Sequence, residues 1–136
     1  MATGVAKTTY FSNAVLNVLR ATNITAPANV YCALFTAVSD GEAGSVTEVS
    51  GGSYARQAIT FGAPADNSPN GRKVSNSTDI TFPVATANWG TITHIGIYDA
   101  STAGNLLYYG ALTTSKTINN GDQFKITSGN LVVGED

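Results

Sequence analysis

The sequence predicts an all-β chain, an antiparallel β-sandwich of jelly-roll or Greek-key type with about eight short strands and one short N-terminal helix. Three observations predict it. Clusters of Gly, Ser, Asn, Asp and Pro recur at intervals of roughly ten residues. The segments between them are rich in β-branched and aromatic residues. Beyond residue 20 no helical period appears, which leaves nothing to serve as the crossover helices of a parallel sheet. The 136 residues are expected to form one domain, 1–136, with 1–20 an arm and short helix and 28–136 the sandwich. A chain of this length buries roughly two thirds of its unfolded surface and can fold without staples.

Thr8 or Thr9 is expected to cap a helix over about Tyr10 to Arg20, in which Phe11, Val15 and Leu19 recur at i, i+4 and i+8. So short a helix is marginal alone in water, so its apolar stripe must dock on this domain or on a neighbouring subunit. Val30 to Ala37 reads as a central strand, with Val30, Cys32 and Leu34 on one face and Tyr31, Ala33 and Phe35 on the other. Ser39 to Gly52 reads as an exposed loop holding Asp40, Glu42 and Glu48, and Tyr54 to Phe61 as the next strand. Pro64, Pro69 and the Asn70-Gly71 pair mark a turn region up to Arg72. Val74, Asn76, Thr78, Ile80 and Phe82 alternate along one half-buried strand that Pro83 ends. After Trp89-Gly90, Thr91 to Asp99 has Ile95 and Ile97 on one face, and Ile92, His94 and Tyr98 on the other. Leu106 to Leu112, Lys116 to Ile118, Gln123 to Ile126 and Leu131 to Val133 complete the set.

Composition narrows the function classes. Hydrophobic residues make up 43% of the chain and charged residues only 12%, about half the usual charged share. With a net charge of −2 this is not the composition of a disordered chain; it suits β-structure whose surface is partly covered in use. The 7 basic residues are scattered, with only Arg72 and Lys73 adjacent, so no nucleic-acid partner is expected. No apolar run approaches the roughly 18 residues of a membrane helix, and no leader pattern opens the chain, so no membrane partner is expected either. Cys32, the single cysteine, lies in the apolar run Val30 to Phe35 and reads as a buried small hydrophobe.

The search for chemistry yields no catalytic, cofactor or metal site, and the chain is expected not to be an enzyme. The one histidine, His94, sits mid-strand without a nucleophile-elbow motif, whereas nucleophilic catalysis needs nucleophile, base and orienting group together. Zinc needs several Cys or His ligands, and the chain has one of each. Asp40 with Glu42, and Glu135 with Asp136, read as solvating charges in a loop and at the terminus. Gly51 and Gly52 read as turn glycines, without the strand-to-helix setting and lysine of a phosphate loop. Six tyrosines supply stiff amphipathic contact area. Tyr108 and Tyr109 must point to opposite faces of their strand, one toward the core and one outward.

Several runs carry a family resemblance: Gly51-Gly-Ser-Tyr-Ala-Arg-Gln-Ala-Ile-Thr-Phe-Gly62, Ile80-Thr-Phe-Pro-Val-Ala-Thr-Ala-Asn-Trp-Gly90, Thr93-His-Ile-Gly-Ile-Tyr-Asp99, Leu106-Leu-Tyr-Tyr-Gly-Ala-Leu112 and Asn119-Asn-Gly-Asp-Gln-Phe124. Together they resemble a family of small virion proteins of tailed bacteriophages, whose members are described both as tail-fibre-like and as capsid cement or decoration proteins. The resemblance implies a structural virion component. The chain's size and its lack of a repetitive shaft turn the expectation toward a cement protein, made in the host cytoplasm and bound to the outer surface of the capsid. Its partners would be the major capsid protein and itself, as a homodimer first and a trimer second. In that expectation residues 1–11 reach across a subunit boundary, with Thr9, Tyr10, Phe11 and Tyr109 as interface residues. Tail-fibre or baseplate attachment, with carbohydrate binding, is the alternative.

Overall fold

The computed structural model describes residues 5–135. Its elements are β1 (Ala6–Lys7), α1 (Thr9–Val18), β2 (Val30–Asp40), β3 (Ser45–Glu48), β4 (Gln57–Ile59), β5 (Ala65–Asp66), β6 (Arg72–Ser75), β7 (Ile80–Thr81), β8 (Gly90–Tyr98), β9 (Leu106–Ile118), β10 (Lys125–Ile126) and β11 (Val132–Glu135). The fold is an all-β antiparallel sandwich with one short helix.

One layer is a six-stranded sheet in the order β1-β9-β8-β2-β3, with β4 also paired to β2. β4 runs along Val30 to Cys32 and β3 along Phe35 to Asp40, so the two share the edge of β2 opposite β8. The facing layer consists of a three-stranded sheet, β11-β6-β5, and the pair β10-β7. The main core lies between the layers: Cys32, Leu34, Ile95 and Ile97 from the large sheet meet Ile80, Phe82, Phe124, Ile126 and Leu131 from the small ones. A second cluster of Ala33, Phe35, Tyr98 and Leu106 lies apart from it. β2 thus sends alternate residues into two apolar clusters, as expected of a central strand.

Several boundaries differ from the sequence reading, for identifiable reasons. The stretch 39–52 is not simply a loop: β2 continues to Asp40 and returns as β3, a hairpin turned at 41–44, so Glu48 sits on a strand. The strand expected from Tyr54 to Phe61 shrinks to Gln57–Ile59. Positions 74–82 are two strands, because Asn76 leaves the ladder to bond the 127–131 segment. Leu106 to Leu112 and Lys116 to Ile118 are one 13-residue strand. Ile92 joins Ile95 and Ile97 in the main core instead of facing away. Ile92 pairs with Lys116 and His94 with Ala111, so two steps along β8 meet five along β9, and the irregularity changes which face Ile92 presents.

Thr8, not Thr9, is the helix cap. Its Oγ1 accepts from the Phe11 N–H at 3.3 Å and donates to the Leu106 carbonyl at 2.6 Å, while its own N–H donates to Leu107 O at 3.0 Å. The start of α1 is thereby riveted to β9. The helix ends at Val18, two residues earlier than expected, and none of its residues is buried.

Cys32 is fully buried, and burial pushes its thiol up to about 12. The native protein is therefore expected to leave Cys32 unmodified by a thiol reagent at pH 8 over hours, with full labelling in denaturant; fast native labelling would contradict this burial.

Candidate interaction surface

Catalytic-type groups are dispersed. His94 pairs with Phe35 on β2 and Cys32 with Ile97 on β8, three positions apart along β2, and His94 Nδ1 lies 2.8 Å from its neighbour Thr93 Oγ1. Asp40 Oδ1 accepts from the Ala43 N–H inside the β2–β3 turn. Glu135 does more than solvate a terminus: it pairs with Lys7 at 2.8 Å and accepts from the Tyr108 hydroxyl at 3.0 Å, tying β11 to β1 and β9. Asp136 lies outside the described residues. Among the described residues no cluster of three or more His, Cys, Asp or Glu could hold a metal, and no helix is long and apolar enough to cross a membrane.

The densest polar cluster surrounds Arg56, which sequence reading passed over. Its guanidinium makes a forked pair with Glu48, Nε to Oε2 and Nη2 to Oε1, both at 2.9 Å. Nη1 donates to the carbonyls of Ala100 and Ala103, and the group lies 3.6 Å above the centre of the Tyr98 ring. The Tyr54 hydroxyl donates to Glu48 Oε2 at 2.6 Å and accepts from the Leu34 N–H. Burial, and then the bond to Glu48, push the Tyr54 phenol well above its ordinary value. Burial pulls Arg56 down, but the Glu48 carboxylate outweighs it and the net shift is upward. Four of the five guanidinium N–H donors are spent inside the chain, so the cluster braces the β3 and β8–β9 ends. Changing Arg56 to Met should cost about 2 kcal/mol in urea unfolding, with Lys restoring only a minor part because it cannot make the fork.

The surface that is not spent inside the chain is apolar and lies at the α1 end. Along α1 and its C-cap, Phe11, Val15, Val18 and Leu19 share one face, with Leu16 at its flank. Only its first member docks, Phe11 packing edge-on against Tyr108 with ring centroids 5.5 Å apart. Beyond it the stripe runs into solvent: Leu16 is 59%, Val18 52% and Leu19 85% exposed. Of the stripe expected to dock on this domain or on a neighbouring subunit, Val15 is 38% exposed and Leu19 has little cover within the domain, because the anchors of α1, Thr8 and Phe11, both lie at its first turn. Residues 18–29 are all exposed, and the chain re-enters the sheet at Val30.

Beside the root of this arm lies an apolar groove of about 530 Å³. Its walls come from both layers, Val30, Leu107 and Tyr108 from the large sheet and Val74 and Val133 from the small one, with Phe11 and Phe61 also lining it. Its rim charges are mostly neutralised internally: Glu135 by Lys7, and Arg72 by Asp66.

Of the expected interface residues, Thr9 and Tyr10 are exposed, Phe11 is half-buried against Tyr108, and Tyr109 is half-buried over Gly41, where a Cβ would collide with its ring. Tyr108 and Tyr109 do take opposite faces, packing on different clusters. The arm expected to cross a subunit boundary is folded back at Ala6–Lys7, which pairs with Tyr109 and Tyr108 of its own β9; residues 1–4 lie outside the described residues. The groove was not legible from sequence, since its walls come from seven separated segments. The exposed stripe was signalled by its period, though not its lack of a local partner.

No curated protein matches the chain. A family model, described as podophage GP4 fiber I protein gp80, matches residues 6–134, which takes in the helix and all the described strands except the last residue of β11, Glu135. The chain therefore belongs to that family of tailed-phage virion proteins.

Proposed function

We propose that the chain is a fibre-type structural subunit of a tailed-phage virion, joining neighbouring chains through the apolar end formed by α1 and the groove. The observation that carries this reading is the concentration of exposed aliphatic side chains on a helix that has no charged residue from Thr9 to Val18. Such a patch is costly to leave in water and marks an interaction site. The fibre role follows the description of the matched family.

Capsid cementing is the second reading. In it the chain binds the outer surface of the head and bridges major capsid subunits. The compactness of the sandwich favours it, since no repetitive shaft occurs among the described residues. A ligand that binds only the assembled shell stabilises it by mass action.

Both readings are tested by co-sedimenting the purified protein with phage heads lacking it and, separately, with tails, then heating the decorated and bare particles. Saturable binding to tails alone supports the fibre role. Binding to heads with a raised disruption temperature replaces it with cementing. Binding to neither overturns both.

A further inference from the structure

We infer that the groove beside α1 is the seat of α1 from a second copy of this chain, so that the protein assembles by exchanging helices. The inference rests on the proposed role of the α1 end as an assembly surface, and it names the occupant.

Two unfilled apolar surfaces stand side by side in one chain. The stripe of Val15, Leu16, Val18 and Leu19 is left 38%, 59%, 52% and 85% exposed, and the groove has no occupant beyond the edge reached by Phe11. The chain cannot fill its own groove with its own stripe in this fold. Thr8 and Phe11 hold the first turn against β9, and the helix leads into a segment whose residues 18–29 are all exposed.

Charge selects the occupant. Among the described residues the rim of the groove carries one unpaired charge, Lys73, because Lys7 with Glu135 and Arg72 with Asp66 are already paired. A strongly charged peptide would find at most that one partner there and would lose the hydration of its other charges. A neutral aliphatic helix loses nothing of the kind, and α1 is one: its first flanking charge, Arg20, bonds back to Asn17 Oδ1 at 3.2 Å.

Area points the same way. A standard interface takes about 800 Å² from each partner, more than four aliphatic side chains of one helix can supply by pairing with their like. When each copy contributes both a helix and a groove, the buried area roughly doubles for the same two chains. A reciprocal exchange also closes on itself and leaves no free stripe, whereas a one-way contact would leave one at each end.

Cysteine cross-linking tests the contact, with Cys32 silent because it is buried. One preparation carries Leu16→Cys and another Phe61→Cys; they are mixed, left to exchange and oxidised. The expected result is a covalent two-chain species from the mixture and from neither preparation alone. Cross-linking of Leu16→Cys with itself would overturn the inference in favour of helix-on-helix pairing. A monomeric mass by light scattering at tens of micromolar, with no cross-link, would overturn it outright. A second variant, Leu16→Glu with Leu19→Glu, alters only exposed positions and should keep the native melting profile while weakening self-association about a hundredfold or more. Unchanged self-association in that variant would also overturn the inference. Exchange without binding to heads or tails would leave this contact standing and remove the fibre and cementing readings instead.

Discussion

Replacing Asn76 by Leu is expected to destabilise the fold by about 3 kcal/mol, although Leu is nearly isosteric and the site is almost wholly buried. Asn76 is 1% exposed, and its side chain closes a three-way junction. Oδ1 accepts from the Leu131 N–H at 2.9 Å, while Nδ2 donates to the carbonyls of Thr78 and Thr127 at 2.8 and 3.1 Å. The Leu131 N–H is buried and would lose its acceptor with no water at hand. The two carbonyls belong to exposed residues and could be partly rehydrated. The cost is therefore dominated by one orphaned donor plus the loss of two ordinary bonds, and is offset in part by the apolar burial of Leu. Asn76→Asp would keep the acceptor but lose both donors and bury a charge, and should be at least as costly near neutral pH. Urea unfolding of the three proteins checks this; a Leu variant within 0.5 kcal/mol of the parent, a threshold set at about the size of an ordinary surface effect, would show that the junction is not structural.

The second large effect is expected at Gly96, in the middle of β8. A Cβ at this position would fall inside the contact radius of Phe35 Cζ and 2.8 Å from Leu106 Cδ1. Phe35 is fully buried and crosses the Tyr98 ring edge-on at 6.2 Å, so it cannot swing aside freely. Gly96→Ala should cost about 3 kcal/mol, at the upper end of overpacking, even though Ala narrows the unfolded ensemble. The cause is separable from a backbone effect. Gly96→Ala combined with Phe35→Leu should be more stable than the sum of the single changes allows, by about 1–2 kcal/mol, because the shorter side chain vacates the space the new methyl needs. Additive single changes in that cycle would locate the strain elsewhere.

The two residues illustrate what local pattern reveals. Asn76 was visible, with Thr78, as a polar residue in the otherwise apolar register of an alternating segment, Val74, Asn76, Thr78, Ile80 and Phe82. That anomaly could have marked it as a buried hydrogen-bonding junction, but two of its three partners lie 51 and 55 residues away and no local pattern names them. Gly96 gave no such sign. The ring that forbids a side chain there belongs to another strand, paired across the sheet. The Arg56 fork was hidden for the same reason, and also because Glu48 reads as part of a Gly-rich and Ser-rich loop whose strand forms only by pairing with the far end of β2.

What the sequence by itself determined is the set of properties that depend on near neighbours in the chain. The all-β class follows from period-two segments and closely spaced turns. The two-faced burial of β2 follows from its continuous apolar run. The cap at Thr8 was narrowed to two adjacent threonines, and the apolar stripe of α1 was set by spacing alone. The tertiary structure decided which strands pair, how β9 steps past β8, and where the layers leave a groove. It also decided that only Phe11 of the stripe finds cover within the chain. These are sums over contacts between distant segments, where many arrangements share the same local preferences and packing selects among them.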